Sequence, residues 1–182
     1  MKNEDVKIEI RPITEENEEA LALPNDPFLL EGRVTPIFDG KAWSYEITEF
    51  PEEEIREDCF PDENYSLANM EKGFHGLAIY VDGVCAGYAL LFEHWNKWLY
   101  LDNLLISARY RRLGLGSRLM DAALELAASL GKYGVWLICQ DNNLQAMRFY
   151  LNNGFTLGGM NLRVYEGTGQ EGKADLYLYR DV

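Results

Sequence analysis

The chain has 182 residues, 47% of them hydrophobic, which supports one domain over residues 1–182 with a buried core and leaves too little for two large ones. Its 17 Lys and Arg against 30 Asp and Glu give a formal charge of −13, a field that repels nucleic-acid backbones and concentrates small cations. No run approaches the roughly 18 apolar residues of a membrane span, and Cys59, Cys85 and Cys139 are too few and too scattered for a disulfide framework or a zinc site.

The opening "MKNEDVKIEI" has neither a basic nor an apolar leader segment, so a cytoplasmic protein with reduced thiols and no membrane partner is expected. Val6, Ile8 and Ile10 alternate with charged residues and predict a short strand ending at Pro12. Thr14 followed by Glu15 and Glu16 predicts a capped helix start. From Pro24 to about Asn64 periodicity fades and prolines and carboxylates recur. Phe28, Phe38, Trp43, Tyr45 and Phe50 nevertheless make this stretch too apolar for a linker, so it is expected to fold over the rest. Glu52 to Glu54 reads as a solvated helix start.

Two β-rich runs then flank Asp82-Gly83, a pair suited to the positive φ values of a type I′ hairpin turn. "HWNK" predicts another tight turn, leading into "WLYLDNLLI", a strand expected to be buried on both faces. Leu119, Ala123, Leu126, Ala127 and Leu130 repeat at helical spacing and stop at Gly131. "GVWLICQ" is a core strand. "NNLQAMRFYLNNG" places Leu144, Met147, Tyr150 and Leu151 on one helical face, with Gly154 as its stop. Two more strands, about Phe155 to Tyr165 and Ala174 to Asp181, complete a mixed α/β order.

In "RRLGLGS" glycines open a helix whose first turn leaves amide donors unpaired, and Gly114 and Gly116 carry no side chains to hold an anion away. The dinucleotide fingerprint is excluded because the third glycine is missing, and a Walker A loop because no Gly-Lys-Ser/Thr follows. His75 and His94 have no partner at metal-ligand spacing, so no metal is assigned.

The pattern R-x-x-G-x-G at Arg111, Gly114 and Gly116, followed by N-x-x-A-x-x-x-Y in "NNLQAMRFYLNNGF", resembles the two acetyl-CoA motifs of the GNAT acetyltransferase superfamily. The resemblance implies a GNAT acyl-CoA N-acyltransferase fold, an α/β (α+β) domain whose mixed central sheet carries helices on both faces and a splayed pair of parallel strands. It also implies acetyl-CoA as cosubstrate. Carried over by motif, the pantetheine arm would pair with backbone at Leu104, Leu105 and Ile106. The pyrophosphate would meet Arg111, Arg112, Leu113, Gly114, Leu115, Gly116 and Ser117, while Asn143, Ala146 and Tyr150 would line the rest.

Over nearly the whole chain, "IRPITEEN", "NDPF", "EGRVTP", "HWNKW" and "YLDNLLI" are similar to the streptothricin acetyltransferases, which acetylate an amine of a cationic antibiotic. Those enzymes carry two consecutive carboxylates where this chain has Asp102-Asn103. The partner implied is a small cationic amine, handled by a monomer or homodimer.

An ammonium group must lose a proton before it can attack a thioester. Asp102 is the first candidate base, with an arginine-paired structural carboxylate as the competing reading; Glu93 and Glu166 are reserves. Tyr150 is the candidate proton donor to the departing thiolate, or else a core aromatic. Cys139 is either an acyl carrier or a small buried hydrophobe. Asp26, Glu31, Trp43, Tyr45, Trp95 and Asn103 are candidate walls for the cation, since carboxylates and aromatic faces together suit an ammonium group. Other acceptors (a polyamine, an amino acid, a protein N-terminus), a noncatalytic acetyl-CoA sensor and a protein-interaction module are the rival readings.

Overall fold

In the computed structural model, which describes residues 6–182, the strands in chain order are β1 (Ile8–Pro12), β2 (Phe28–Leu30), β3 (Gly32–Phe38), β4 (Trp43–Glu49), β5 (Arg56–Asp58), β6 (Phe74–Val81), β7 (Val84–Glu93), β8 (Leu99–Ile106), β9 (Gly134–Gln140), β10 (Thr156–Asn161) and β11 (Asp175–Asp181). Helix α1 (Leu115–Ser129) lies between β8 and β9, and α2 (Leu144–Asn152) between β9 and β10. The chain divides into two compact units. One contains the described residues through Asp26, Pro61–Val135 and Val182, the other Pro27–Phe60 and Trp136–Asp181.

The first unit is built on the antiparallel run β1–β6–β7–β8. Asp82 and Gly83 both take positive φ, 49° and 81°, and Val81 faces Val84 across a two-residue turn, as the sequence predicts. α1 packs on β6, β7 and β8 through Leu115, Leu119, Met120, Ala123, Leu124 and Ala127, all buried. Each fully buried leucine contributes about 1.5–3 kcal/mol. That sum outweighs the roughly 1 kcal/mol forgone because α1 has no side-chain N-cap. Gly131 ends the helix at φ 68°, its amide donating to Ala128, while the Lys132 amide donates to Ala127.

Two expectations for this unit fail. No helix starts at Thr14; a short 3-10 helix forms instead at Glu18–Ala22. Thr14 Oγ1 does accept from the Glu16 amide at 3.3 Å, and Asn17 Oδ1 accepts from the Thr14 amide at 2.7 Å, but Asn17 Nδ2 donates to the Pro12 carbonyl and the Tyr80 hydroxyl and only a turn follows. β8 is not buried on both faces either, since Leu99, Leu101 and Leu105 are buried while Asp102 is exposed. At Gly87 in β7 a Cβ would stand 2.2 Å from the Leu105 carbonyl oxygen, so β7 and β8 touch there without room for a methyl group.

The second unit contains the hairpin β3–β4, the short antiparallel pair β2–β5, and β11 and β10 beside β9 from Trp136 onward. The stretch that periodicity leaves unassigned thus contains four strands, about half of its residues. Its pattern is blurred because Pro36 interrupts β3 and β4 is exposed along almost its whole length. Glu52–Glu54 is one exposed 3-10 turn. α2 packs against β2 and β3 and buries Leu144 and Met147. The strand expected from Phe155 to Tyr165 ends at Asn161, where turns begin.

Candidate active site

In the first unit the register between β7 and β8 slips at one residue. Leu90 faces Asn103 and Leu91 faces Leu101, so Asp102 is an extra residue bulged out of the ladder. The polar pair Asp102-Asn103 sits at this bulge in an otherwise apolar strand. Burial of its carboxyl raises the Asp102 pKa, and Glu63 and Glu71 push it further up; a hydrogen bond from Tyr65 and the nearby His94 act the other way. The residue still reaches water, so this is a carboxylate made more basic but open to a solute. Asn103 Nδ2 donates to the Tyr65 hydroxyl at 3.3 Å. Burial also raises Tyr65, and it takes Tyr88 beneath the cluster to about 12.

Glu93 sits at the end of β7 and is already engaged. Its two oxygens lie 3.1 Å from His75 Nε2 and 3.0 Å from Lys132 Nζ, and these two partners hold its pKa below the ordinary carboxylate value. Such a carboxylate is a weak base.

The segment after β8 is braced from within. The Ala108 amide donates to Asp26 Oδ2 at 2.7 Å, and Arg111 Nε donates to the Ile106 carbonyl at 3.1 Å, with its Nη2 3.9 Å from Asp26 Oδ2. Arg109 lies over the Tyr110 ring at 4.6 Å. Arg112 and Gly114 both take left-handed φ, 65° and 76°, and Gly114 opens α1 with no side-chain cap and nothing within 4 Å of where a Cβ would stand. The first-turn amides at Leu115, Gly116 and Ser117 therefore have no side-chain cap, and the dipole end of a 15-residue helix sits behind them. These residues fit a diphosphate. Leu104 to Ile106 pair with Gly87 to Ala89 on β7. Trp95, in the turn between β7 and β8, is 97% exposed.

In the second unit Asn143 caps α2, its Oδ1 accepting from the Ala146 amide at 3.1 Å. Tyr150 stands edge-on to Phe149 and Phe155, with centroids 5.2 and 5.6 Å away. Glu31 is held by Arg148 at 3.3 Å, and the same guanidinium binds Glu49. Trp43 packs on Phe38 across the hairpin, and Tyr45 is 42% exposed. Glu166 pairs with Arg163. Cys139 is buried, and burial together with Asp175 and Asp141 pushes its thiol up to about 12, so it stays protonated and is a poor nucleophile.

Of the sequence-predicted residues in the first unit, the structure brings Asp102 and Asn103 to one bulge, and Asp26 to the base of the glycine loop as a brace. Tyr65, which is hydrogen-bonded to Asn103 at the bulge, is missed by sequence reasoning because it lies in an aperiodic segment. Among the described residues, no group of three or more His, Cys, Asp or Glu side chains could hold a metal ion, and no helix is long and apolar enough to cross a membrane.

Residues 41–155 match the acetyltransferase (GNAT) family. The chain is 25% identical over 157 residues to streptothricin acetyltransferase A of Bacillus subtilis (strain 168), covering 86% of this chain and 90% of that protein. It is 27% identical over 173 residues to the streptothricin acetyltransferase of Streptomyces lavendulae, with the same coverage of 86% and 90%. Its fold matches a candidate streptothricin acetyltransferase of Bacillus anthracis str. Ames, crystallised with acetyl coenzyme A, at a TM-score of 0.86 and 22% identity over 97% of this chain and 100% of that one. A capped second motif, an uncapped glycine-opened helix and a sequence match across more than half its length together make this chain a member of the GNAT acetyltransferase family, with that family's α/β fold.

Proposed function

We propose that this N-acetyltransferase transfers the acetyl group of acetyl-CoA to a primary amine of a small cationic molecule, a streptothricin-type antibiotic. The observation that carries the acceptor class is the similarity to two streptothricin acetyltransferases over 86% of the chain. The charge of −13 supports it, because it attracts a polycation before any specific contact forms. Residues 1–182 act in this reading as one GNAT domain.

Acetyl-CoA, when bound, supplies an acyl thioester already activated for attack. The amides of Leu115, Gly116 and Ser117 receive its diphosphate, and Arg112 adds charge at the same turn. Leu104 to Ile106 offer backbone to the pantetheine arm, and the Ile106 amide region supplies a donor for the carbonyl oxygen. Asn143 and Ala146 complete the second motif.

Asp102, made more basic by its surroundings, takes the proton from the incoming ammonium. The freed nitrogen then bonds to the acetyl carbon as the carbon–sulfur bond breaks, Tyr150 gives a proton to the departing sulfur, and the nitrogen's second proton passes to solvent while solvent restores the phenol, so that one proton per turnover leaves through Asp102. Asp102 is preferred over Glu93, whose carboxylate is hydrogen-bonded to His75 and ion-paired with Lys132. No acyl-enzyme forms, in keeping with the protonated, buried Cys139.

The test is release of free thiol from acetyl-CoA across streptothricins, spermidine and amino-acid amides, with mass spectrometry of the product. Acetylation of a streptothricin at its β-amino-acid part, together with protection of a sensitive strain, is the expected result. Turnover with spermidine alone would move the acceptor to the polyamines. No thiol release with any amine would overturn the enzymatic reading.

A further inference from the structure

Tyr65 lies in a segment without regular structure, yet it is tied down on both sides. Before it, the Asn25 amide donates to Asp62 Oδ1 at 2.7 Å and Asn25 Nδ2 donates to the Pro61 carbonyl at 2.9 Å. After it, the Leu67 amide donates to Glu18 Oε1 at 2.7 Å. Its ring packs with Leu67, Met70 and Phe92 against the core formed by Ile13, Leu21, Tyr88 and Leu90. A long loop held at both ends and seated on the core delivers its hydroxyl to one place, the Asp102-Asn103 bulge.

The hydrogen bond from Asn103 leaves the Tyr65 hydroxyl one proton to donate, with two carboxylates beside it. The acceptors around it are the carboxylates of Asp102 and Glu63. We propose that Tyr65 is a positioning residue for acetyl transfer, its hydroxyl accepting from Asn103 and donating to Asp102, so that the bulge presents one fixed carboxylate oxygen to the acceptor amine. This rests on Asp102 being the base.

The bulge explains why such a brace is needed. A residue outside the ladder has no cross-strand neighbour to fix its side chain, and Asp102 also faces the like charges of Glu63 and Glu71. Asp62 and Tyr88 complete the titratable groups of the cluster, and His94 is its cationic candidate. A hydroxyl donated to the carboxylate favours its ionised form and opposes those repulsions. Burial keeps the Tyr65 phenol protonated, so it stays a donor across the working range.

The experiment is the pH profile of kcat/KM for wild type, Tyr65→Phe, Asp102→Asn and the double variant, with the acetyl-CoA KM measured alongside. Tyr65→Phe keeps the ring and removes the donor, so its acid limb is expected to move to higher pH. The expected loss is about 3- to 10-fold on the acid side, closing to within about 2-fold on the plateau, with an unchanged acetyl-CoA KM. In the Asp102→Asn background the same substitution should change nothing further.

A uniform loss at every pH, or the same loss with Asp102 already replaced, would mark Tyr65 as merely structural and overturn the proposal. An unmoved limb in Tyr65→Phe, with Asp102→Asn altering it, sinks the positioning role alone. A wild-type profile in Asp102→Asn sinks the base assignment and this role with it. Should Tyr65→Phe fail to fold, Asn103→Ala removes the partner on the other side of the hydroxyl, and a limb that stays in place there overturns the arrangement equally.

Discussion

Asp26 holds the Ala108 amide through a 2.7 Å hydrogen bond, and through that contact a carboxylate eighty-two positions away fixes where the glycine loop begins. Sequence reasoning assigns Asp26 to the acceptor cation; the structure gives its Oδ2 to the loop and to Arg111. Asp26→Ala should therefore raise the KM for acetyl-CoA about 3- to 10-fold and leave the KM of the amine nearly unchanged. Steady-state kinetics with each substrate varied in turn checks the split.

Gly114 is left-handed at φ 76° with open space around it, so alanine there costs backbone strain rather than a clash, about 1 kcal/mol. Gly114→Ala should lower the Tm by a few degrees. It should weaken acetyl-CoA binding by more than its effect on stability suggests, because the turn that presents the α1 amides is displaced. A thermal calorimetric scan of the purified variant reads the first and calorimetric titration with acetyl-CoA the second.

Glu93 predicts a stability effect without a catalytic one. Its carboxyl is depressed by His75 and then Lys132, so its contribution is fully present above the ordinary value of 4.5 and is lost as pH falls through the lower folded value. Glu93→Gln should be less stable than wild type at pH 7, with the gap closing below about pH 4.5. Turnover should stay within about 2-fold. Urea unfolding at several pH values follows the gap, and a variant with lost turnover and an altered pH profile would return Glu93 to the list of bases.

Tyr150→Phe keeps the edge-on packing on Phe149 and Phe155 and removes only the hydroxyl. If that hydroxyl protonates the departing sulfur, kcat should fall about 10- to 100-fold with little change in acetyl-CoA affinity. Equal losses in kcat and affinity would instead point to a packing role.

Cys139 is buried with its thiol near 12, whereas Cys59 is exposed. Iodoacetamide should modify Cys59 in the native protein and spare Cys139 until the chain is unfolded. Cys139→Ala should retain turnover; a labelled, acetylated Cys139 recovered by rapid quench would overturn direct transfer.

Much of the fold was legible because it rests on local chemistry. Asp82-Gly83 has the only backbone preference its hairpin accepts, Gly131 and Gly154 stop helices where left-handed residues are needed, and α1 shows its buried face as a plain 3.6-residue repeat. The failures are equally physical. Thr14 accepts the Glu16 amide as a cap would, but Asn17 ties the next turn back to Pro12 and Tyr80, a tertiary contact that composition cannot score. β3 and β4 pair mainly with each other and expose much of their length, so no burial rhythm marks them. At the site, the glycine turn and the capping Asn143 carry sequence signals. The bulge at Asp102 leaves a faint one, two polar residues inside an apolar run, and the arrival of Tyr65 from a distant aperiodic segment leaves none.

The contact at Gly87 has a practical bearing on attempts to retarget this enzyme by directed evolution. Any residue larger than glycine would drive β7 away from β8 at Leu105, on the strand that carries the bulged carboxylate. Random libraries will spend variants at that codon without return, whereas the solvent-facing Trp95 and Tyr45 tolerate diversification at little structural risk.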